Sequence, residues 1–167
     1  LMQERVMGKR IVPRSYQPLG DLLIEQDGQD DFTDYVRELL LELAIATTRW
    51  VSDGVAFKRE VFASAVDRAI VCRIEGDKSG AISCRIAFNR DENAQWMGLS
   101  DDTLMVTGRA GHGDAHQGVG FSAAIKVIAD GGQIGCDENG FGIEDADAVT
   151  VFLCAETDYN FENPSVP

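Results

Sequence analysis

No apolar run in the chain approaches the roughly 18 residues that cross a bilayer as a helix, and no secretory leader pattern is visible. The four cysteines include no CxxC pair, so the usual spacings of thiolate metal sites and redox motifs are missing. There is no GxGxxG and no GxxxxGK(S/T), and the 17 glycines are spread among turns instead of gathered in a phosphate-cradling loop. No serine stands in a GxSxG elbow. Internal repeats and low-complexity tracts are absent. Positive charge is scarce: 15 Lys and Arg face 28 Asp and Glu, a net charge of −13. Binding to nucleic acid needs a basic face, so that partner is disfavoured. Attraction to an anionic membrane surface is disfavoured for the same reason. Neutral or cationic partners stay open, and sugars are neutral.

What is present is an ordinary globular composition, with 44% hydrophobic and 26% charged residues in 167. A chain of this size buries about 70% of its unfolded surface and needs no staples. The reading is one β-sandwich domain over residues 1–167, or a fragment of one. The chain opens Leu1-Met2-Gln3-Glu4 and closes Asn163-Pro164-Ser165-Val166-Pro167. Both ends read as cuts in a longer protein, so the compartment stays unknown. Cys72, Cys84, Cys136 and Cys154 each sit in or beside an apolar stretch. Reduced core cysteines are the first reading and disulfides between neighbouring strands the alternative.

Strand signals dominate. Residues 8–16 read as an extended lead-in. A strand is expected over Leu19–Glu25, then an acidic loop over Gln26–Asp34. Tyr35–Val51 is ambiguous. Its Glu, Leu and Ala favour helix, yet Leu39, Leu41, Leu43 and Ile45 fall on a period of two. Ser52-Asp53-Gly54 is a hairpin signal and requires a strand before it. The second half of the segment is therefore read as strand, with one helical turn at its start. Further strands are expected over Val55–Ser64, Arg68–Glu75, Ala81–Phe88, Thr103–Gly108, Val119–Ala129, Gln133–Cys136, Phe141–Ile143 and Ala148–Ala155. Ile82, Cys84, Ile86 and Phe88 point inward by alternation, as do Val119, Phe121, Ala123, Ile125 and Val127. About ten short strands separated by Gly and Asp turns predict an all-β fold, an antiparallel sandwich with at most a short helical turn. No strand-helix-strand rhythm supports a parallel sheet.

Motifs spread along the chain carry a family resemblance. They are Tyr16-Gln17-Pro18-Leu19-Gly20-Asp21-Leu22, Tyr35-Val36-Arg37-Glu38-Leu39 and the Asp53-Gly54-Val55 hairpin. Next come Arg59-Glu60-Val61-Phe62-Ala63-Ser64-Ala65-Val66-Asp67, Val71-Cys72-Arg73-Ile74 and Asp77-Lys78-Ser79-Gly80. The last are Gly118-Val119-Gly120-Phe121, Ala146-Asp147-Ala148 and Thr157-Asp158-Tyr159. In this order they resemble the amino-terminal domain of glycoside hydrolase family 95, the α-L-fucosidase and α-L-galactosidase family. The resemblance implies a supersandwich-like β domain ahead of an (α/α)6 barrel that holds the catalytic carboxylates and amides. No barrel is in this sequence, so no catalytic residue carries over, and the chain alone is expected to be inactive. The implied partners are that barrel and a carbohydrate substrate. No cofactor is implied, and secretion or a periplasmic location stays open. Leu39-Leu40-Leu41 departs from the family's usual Leu-Asp-Leu.

Candidate contacts with a sugar are few. His112, Asp114 and His116 share a glycine-rich loop, where a solvated loop, a loop reaching toward a sugar pocket and a metal site compete. The metal reading is the weakest, and no metal is expected. Trp96 is the better candidate for an exposed aromatic, and Trp50 reads as core. Asp30-Asp31, Asp101-Asp102 and Glu144-Asp145-Asp147 read as solvated turn or edge acids, not the carboxylate pair of a glycosidase. Arg59 shares a face with Phe57 and Val61, so an inward Arg59 calls for a carboxylate partner or an interdomain contact.

Overall fold

The computed structural model describes residues 17–28, 31–90, 92–111, 117–138, 140–160 and 162. The lead-in over residues 8–16, Asp30, His112, Asp114 and His116 lie outside these residues. So do both chain ends. The described residues hold twelve strands and no helix.

The strands are β1 (Asp21–Gln26), β2 (Thr33–Leu40), β3 (Ile45–Ser52), β4 (Val55–Ser64), β5 (Ala69–Gly76) and β6 (Ile82–Asn89), followed by β7 (Ala94–Ser100), β8 (Thr103–Gly111), β9 (Gln117–Asp130), β10 (Gln133–Asp137), β11 (Gly140–Ala146) and β12 (Ala148–Thr157). They form two antiparallel sheets, a four-stranded one ordered β1-β6-β11-β10 and an eight-stranded one ordered β2-β3-β4-β5-β12-β9-β8-β7. The expected sandwich is borne out. One core lies between the layers, built from Phe57, Cys72 and Ile74 with β6, β8, β9, β11 and β12 side chains. The alternation read for β6 holds, since Ile82, Cys84, Ile86 and Phe88 are all buried. On β9, Phe121, Ala123, Ile125 and Val127 are buried in the same way.

The Asp53-Gly54 hairpin joins β3 to β4 with φ of 49° and 70° at its two central residues, as a type I′ turn requires. Tyr35–Val51 departs from expectation. Its first half is strand β2, not a helical turn, and residues 41–44 turn it into β3 with Ala44 at φ 54°. Strand pairing overrides helix propensity here: β2 is held along β3, with Glu38 ion-paired to Arg49 across the pair. Strand β7 was not anticipated at all.

Five connections change layer, and Asp147 ties three of them together, β5 to β6, β9 to β10 and β11 to β12. Its Oδ1 accepts from Ser79 Oγ and from the Gly80 N–H, both at 2.7 Å. Its own N–H donates to Asp130 O at 2.8 Å, and its carbonyl accepts from the Gly76 N–H at 3.3 Å. The flanking Ala146 and Ala148 are buried, so the polar residue is anchored between two core positions. Hydrogen bonds from Ser79 and then Gly80 hold the Asp147 carboxyl below the usual carboxylate range. A depressed folded-state value means stability that is present above the unfolded pKa and fades as pH falls through the folded one. Asp147→Asn should therefore lower the unfolding midpoint at pH 7. That deficit should shrink as the pH drops below about 4. Thermal melts of both proteins from pH 7 to pH 3 check this; a gap that stays constant contradicts it.

Candidate functional site

The β8–β9 hairpin carries the glycine-rich segment, and the described part of its base borders an open cleft. The cleft holds about 840 Å³ and is lined by Asn93, Gln95, Thr107, Arg109, Ser122 and Asp158, among others. It lies on the outer face of the eight-stranded sheet, because Gln95, Thr107 and Ser122 alternate with the inward Trp96, Val106 and Ala123. Arg109 and Asp158 cross it as an ion pair at 3.0 Å. Asp158 also accepts from the Gly120 N–H at 2.7 Å, and Arg109 Nη1 donates to Gly118 O at 2.7 Å. Both charges are therefore engaged in holding β8, β9 and the end of β12 together. The match motifs Gly118–Phe121 and Thr157–Tyr159 meet at this pair. A side chain at position 120 would crowd Asp158, since a Cβ there would lie 2.7 Å from its Oδ2.

Trp96 sits on the other face of β7. It pairs with Val106, points toward the four-stranded layer and meets the Phe88 ring edge-on, 5.7 Å between centroids and 65° between planes. Its side chain is still 40% exposed, so the indole seals the rim of the core and keeps part of its ring open to solvent. The structure thus puts Trp96 and the cleft on opposite faces of one edge strand. His112, Asp114 and His116 lie outside the described residues. Trp50 is half-buried and stacks on Phe57 at 5.4 Å and 16°, in keeping with a core role.

Arg90 was missed by sequence reasoning. Its guanidinium lies 4.2 Å from the Phe121 ring centroid. It donates to Pro18 O, to Leu19 O at 3.1 Å and to Gln17 Oε1 at 3.2 Å. Gln17 in turn donates to Gly111 O at 2.7 Å. The Gln17-Pro18-Leu19 part of the first motif is thus fastened to the base of the β8–β9 hairpin. No short-range pattern announces this, because the partners are 71 or more residues apart.

Of the acids named from the sequence, Asp102 and Asp147 use their carboxylates to hold the fold. Asp102 accepts from Lys126 at 2.6 Å and from Ser100 and Thr103 at 2.7 Å each. The Lys126 contact first, then the two hydroxyls, holds its carboxyl far below the usual range. Asp145 receives only a backbone contact, its N–H donating to Ser83 Oγ at 3.2 Å. Among the described residues no group of three or more His, Cys, Asp or Glu is arranged to hold a metal ion.

The expectations for Arg59 and for the cysteines are met only in part: the internal ion pair is not formed among the described residues, and two of the four cysteines are not core. Arg59 does face the Phe57 and Val61 side and is half-buried, but it forms no ion pair among the described residues. Its row on the sheet runs Arg37, Thr48, Arg59, Ile74, and no carboxylate stands in it. All four cysteines are free; Cys72 and Cys84 are core, whereas Cys136 is half-buried and Cys154 exposed. The apolar stretch around Cys154 is not continuous core: Cys154 lies on the face opposite buried Val151 and Ala123.

Fold and motifs together define the class: an antiparallel β-sandwich of the kind found at the amino-terminal side of glycosidases. The chain belongs to the family described as glycosyl hydrolase family 65, N-terminal domain, whose model matches residues 1–162. It is also similar to alpha-L-fucosidase 2 of Arabidopsis thaliana, 27% identical over 172 residues, a span that takes in 89% of this chain. The match covers 20% of that relative, so this chain corresponds to about a fifth of its length. The resemblance to the amino-terminal β domain of the α-L-fucosidase family is thereby borne out.

Proposed function

We propose that residues 1–167 form one non-catalytic β-sandwich domain that packs on the catalytic (α/α)6 barrel of an α-L-fucoside-cleaving hydrolase and shapes the rim of its sugar pocket. One observation carries the packing part of this reading. The eight-stranded sheet overhangs the four-stranded one, and its far end is apolar and bare. Along the row Cys72, Val61, Ala46, Leu39, burial falls from 5% exposure at Cys72 to 61% at Leu39. The β2–β3 turn adds Leu41 at 81% and Leu43 at 65%, and at the other end of β2 Phe32 and Tyr35 pack on each other while both remain exposed. Apolar residues gathered this way mark a surface that meets another. Arg37 and Arg59 lie on the same inner face with no carboxylate of their own among the described residues, so a partner bearing acidic side chains complements it.

The carbohydrate substrate is the second proposed partner. Trp96 supplies an apolar ring face, and His112, Asp114 and His116 supply hydrogen-bonding groups from the β8–β9 loop. The test is hydrolysis of an aryl α-L-fucoside by this chain and by the full-length product of its gene. The longer protein should hydrolyse the fucoside and this chain should not. Hydrolysis by this chain alone overturns the non-catalytic role. Loss of activity toward every fucoside in the longer protein overturns the substrate. Saturable sugar binding by the isolated chain with no barrel in the gene favours the alternative, a free-standing carbohydrate-binding sandwich.

A further inference from the structure

Four strands form the edges of the two sheets, β1 and β10 in the smaller, β2 and β7 in the larger. Three of them carry charge within the strand: Asp21 and Glu25 on β1, Asp137 on β10, and Asp34, Arg37 and Glu38 on β2. Charged side chains are a common guard against pairing with a further strand. Strand β7, Ala94–Ser100, has neither charge nor proline. It carries Trp96, Met97 and Leu99, which are 40%, 53% and 52% exposed. Trp96 and Met97 stand on opposite faces, so the edge is apolar on both. There is also room beside it, since a Cβ on Gly98 would meet nothing within 4 Å.

Acids stand at both ends of this edge. Glu92 precedes β7 and Asp101 follows it; both are exposed, and neither forms an ion pair among the described residues. The cations of the adjoining segments are already engaged: Arg90 with the Pro18 and Leu19 carbonyls, Arg109 with Asp158, and Lys126 with Asp102.

We propose that β7 is paired by one further strand, supplied by the remainder of the longer polypeptide, with consecutive apolar residues at its centre and Lys or Arg at both ends. This rests on the reading of the chain as one domain of a longer hydrolase. Every second residue of β7 turns its N–H and C=O away from β8, and an added strand meets them with its own. Its side chains alternate between the faces, one set beside Trp96 and the other beside Met97, which is why its centre is apolar throughout. Its basic ends meet Glu92 and Asp101. A second copy of this chain is a poor fit. Antiparallel pairing of two β7 strands centred on Met97 would set Glu92 of each against Asp101 and Asp102 of the other, like charge against like. A strand on the same polypeptide is also held at high effective concentration. Side chains on one face of a sheet stand side by side, about 5 Å apart, so the strand flanks Trp96 and leaves the proposed sugar contact in place.

Amide hydrogen exchange over Ala94–Ser100, read residue by residue in this chain and in the full-length gene product, tests the proposal. Thr33–Leu40 is followed in the same samples. In the full-length protein the β7 amides turned away from β8 should slow by at least tenfold, and those already bonded to β8 should change little. Glu92→Lys/Asp101→Lys in the full-length protein should undo most of that slowing and leave β2 unchanged. Met97→Lys, at an exposed position, should do the same. In this chain alone both variants should melt within about 2 °C of the wild type, as surface substitutions do. Slowing on β2 without slowing on β7 would overturn the added strand and spare the docking role; slowing on neither would remove both. Equal slowing of all β7 amides, or slowing that survives the charge reversal, would overturn the basic-ended strand as occupant. Slowing in this chain that grows with its concentration would overturn it in favour of a second copy.

Discussion

Phe141→Ala should remove about 3–5 kcal/mol of unfolding free energy, the range for truncating a fully buried phenylalanine. Phe141 is 1% exposed and is one of the largest side chains wholly inside the molecule. It stands on β11, the inner strand that joins β6 to β10, and pairs with Ile86 on one side and Cys136 on the other. Its side chain fills the space between layers, so truncation leaves a cavity under the four-stranded sheet. That sheet has few strands to spare. A domain of this class is stable by only about 5–15 kcal/mol, so the variant should melt roughly 6–20 °C lower. Phe32→Ala is the control, because Phe32 is 55% exposed and leaves no cavity. Circular dichroism melts of the two variants beside the wild type decide the matter. Equal shifts would mean that the core is not where the burial places it.

The second large effect concerns a corner. Gly132 and Gly54 have nearly the same backbone, φ 65° and 70°. An alanine at either position meets the left-handed penalty of roughly 1–2 kcal/mol. Their surroundings differ. At Gly54 a Cβ would meet nothing closer than Lys78 Nζ at 3.7 Å, the free end of a flexible side chain. At Gly132 it would lie 2.2 Å from Glu144 O, 2.6 Å from Asp145 C and 2.7 Å from Ala146 N, all backbone of β11. That backbone cannot give without opening the β9–β10 corner and the β11 pairing. Gly132→Ala should therefore lose about 2 kcal/mol or more beyond Gly54→Ala, which should lose about 1 kcal/mol. Urea unfolding of both checks the difference, and identical midpoints would contradict the close approach.

Much of the fold was legible because burial alternates cleanly on β6 and β9, where one face meets the core and the other meets water. The β3–β4 turn was legible because Asp-Gly suits two positive φ values. Strand β7 was not, since it is an edge strand whose residues after Ala94 are all at least partly open to solvent, leaving no inward pattern except Trp96. Strand β2 failed for a similar reason: nearly all its residues are exposed on both faces, and its Leu and Glu content favours helix. Layer changes were invisible, because Asp77–Gly80 and Asp130–Gly132 carry the same turn residues as hairpins. The family motifs make physical sense only once folded. Asp147 binds Ser79 and Gly80 from another motif, and Asp158 binds the Gly120 N–H of a third. As for the candidate site, Trp96 is partly exposed as expected, but its engagement with Phe88 could not be read from its neighbours in sequence.

The central claim is that the bare end of the large sheet is covered in the full-length protein. Amide hydrogen exchange over β2, Thr33–Leu40, measured in this chain and in the full-length gene product, tests it most directly. Strand β2 is an edge strand, paired only to β3, so its free-edge amides should exchange fast in the isolated chain. They should slow by at least tenfold in the full-length protein, and the Leu41 and Leu43 turn should slow with them. Equal exchange in both proteins would mean that nothing packs there, and the docking role would be wrong.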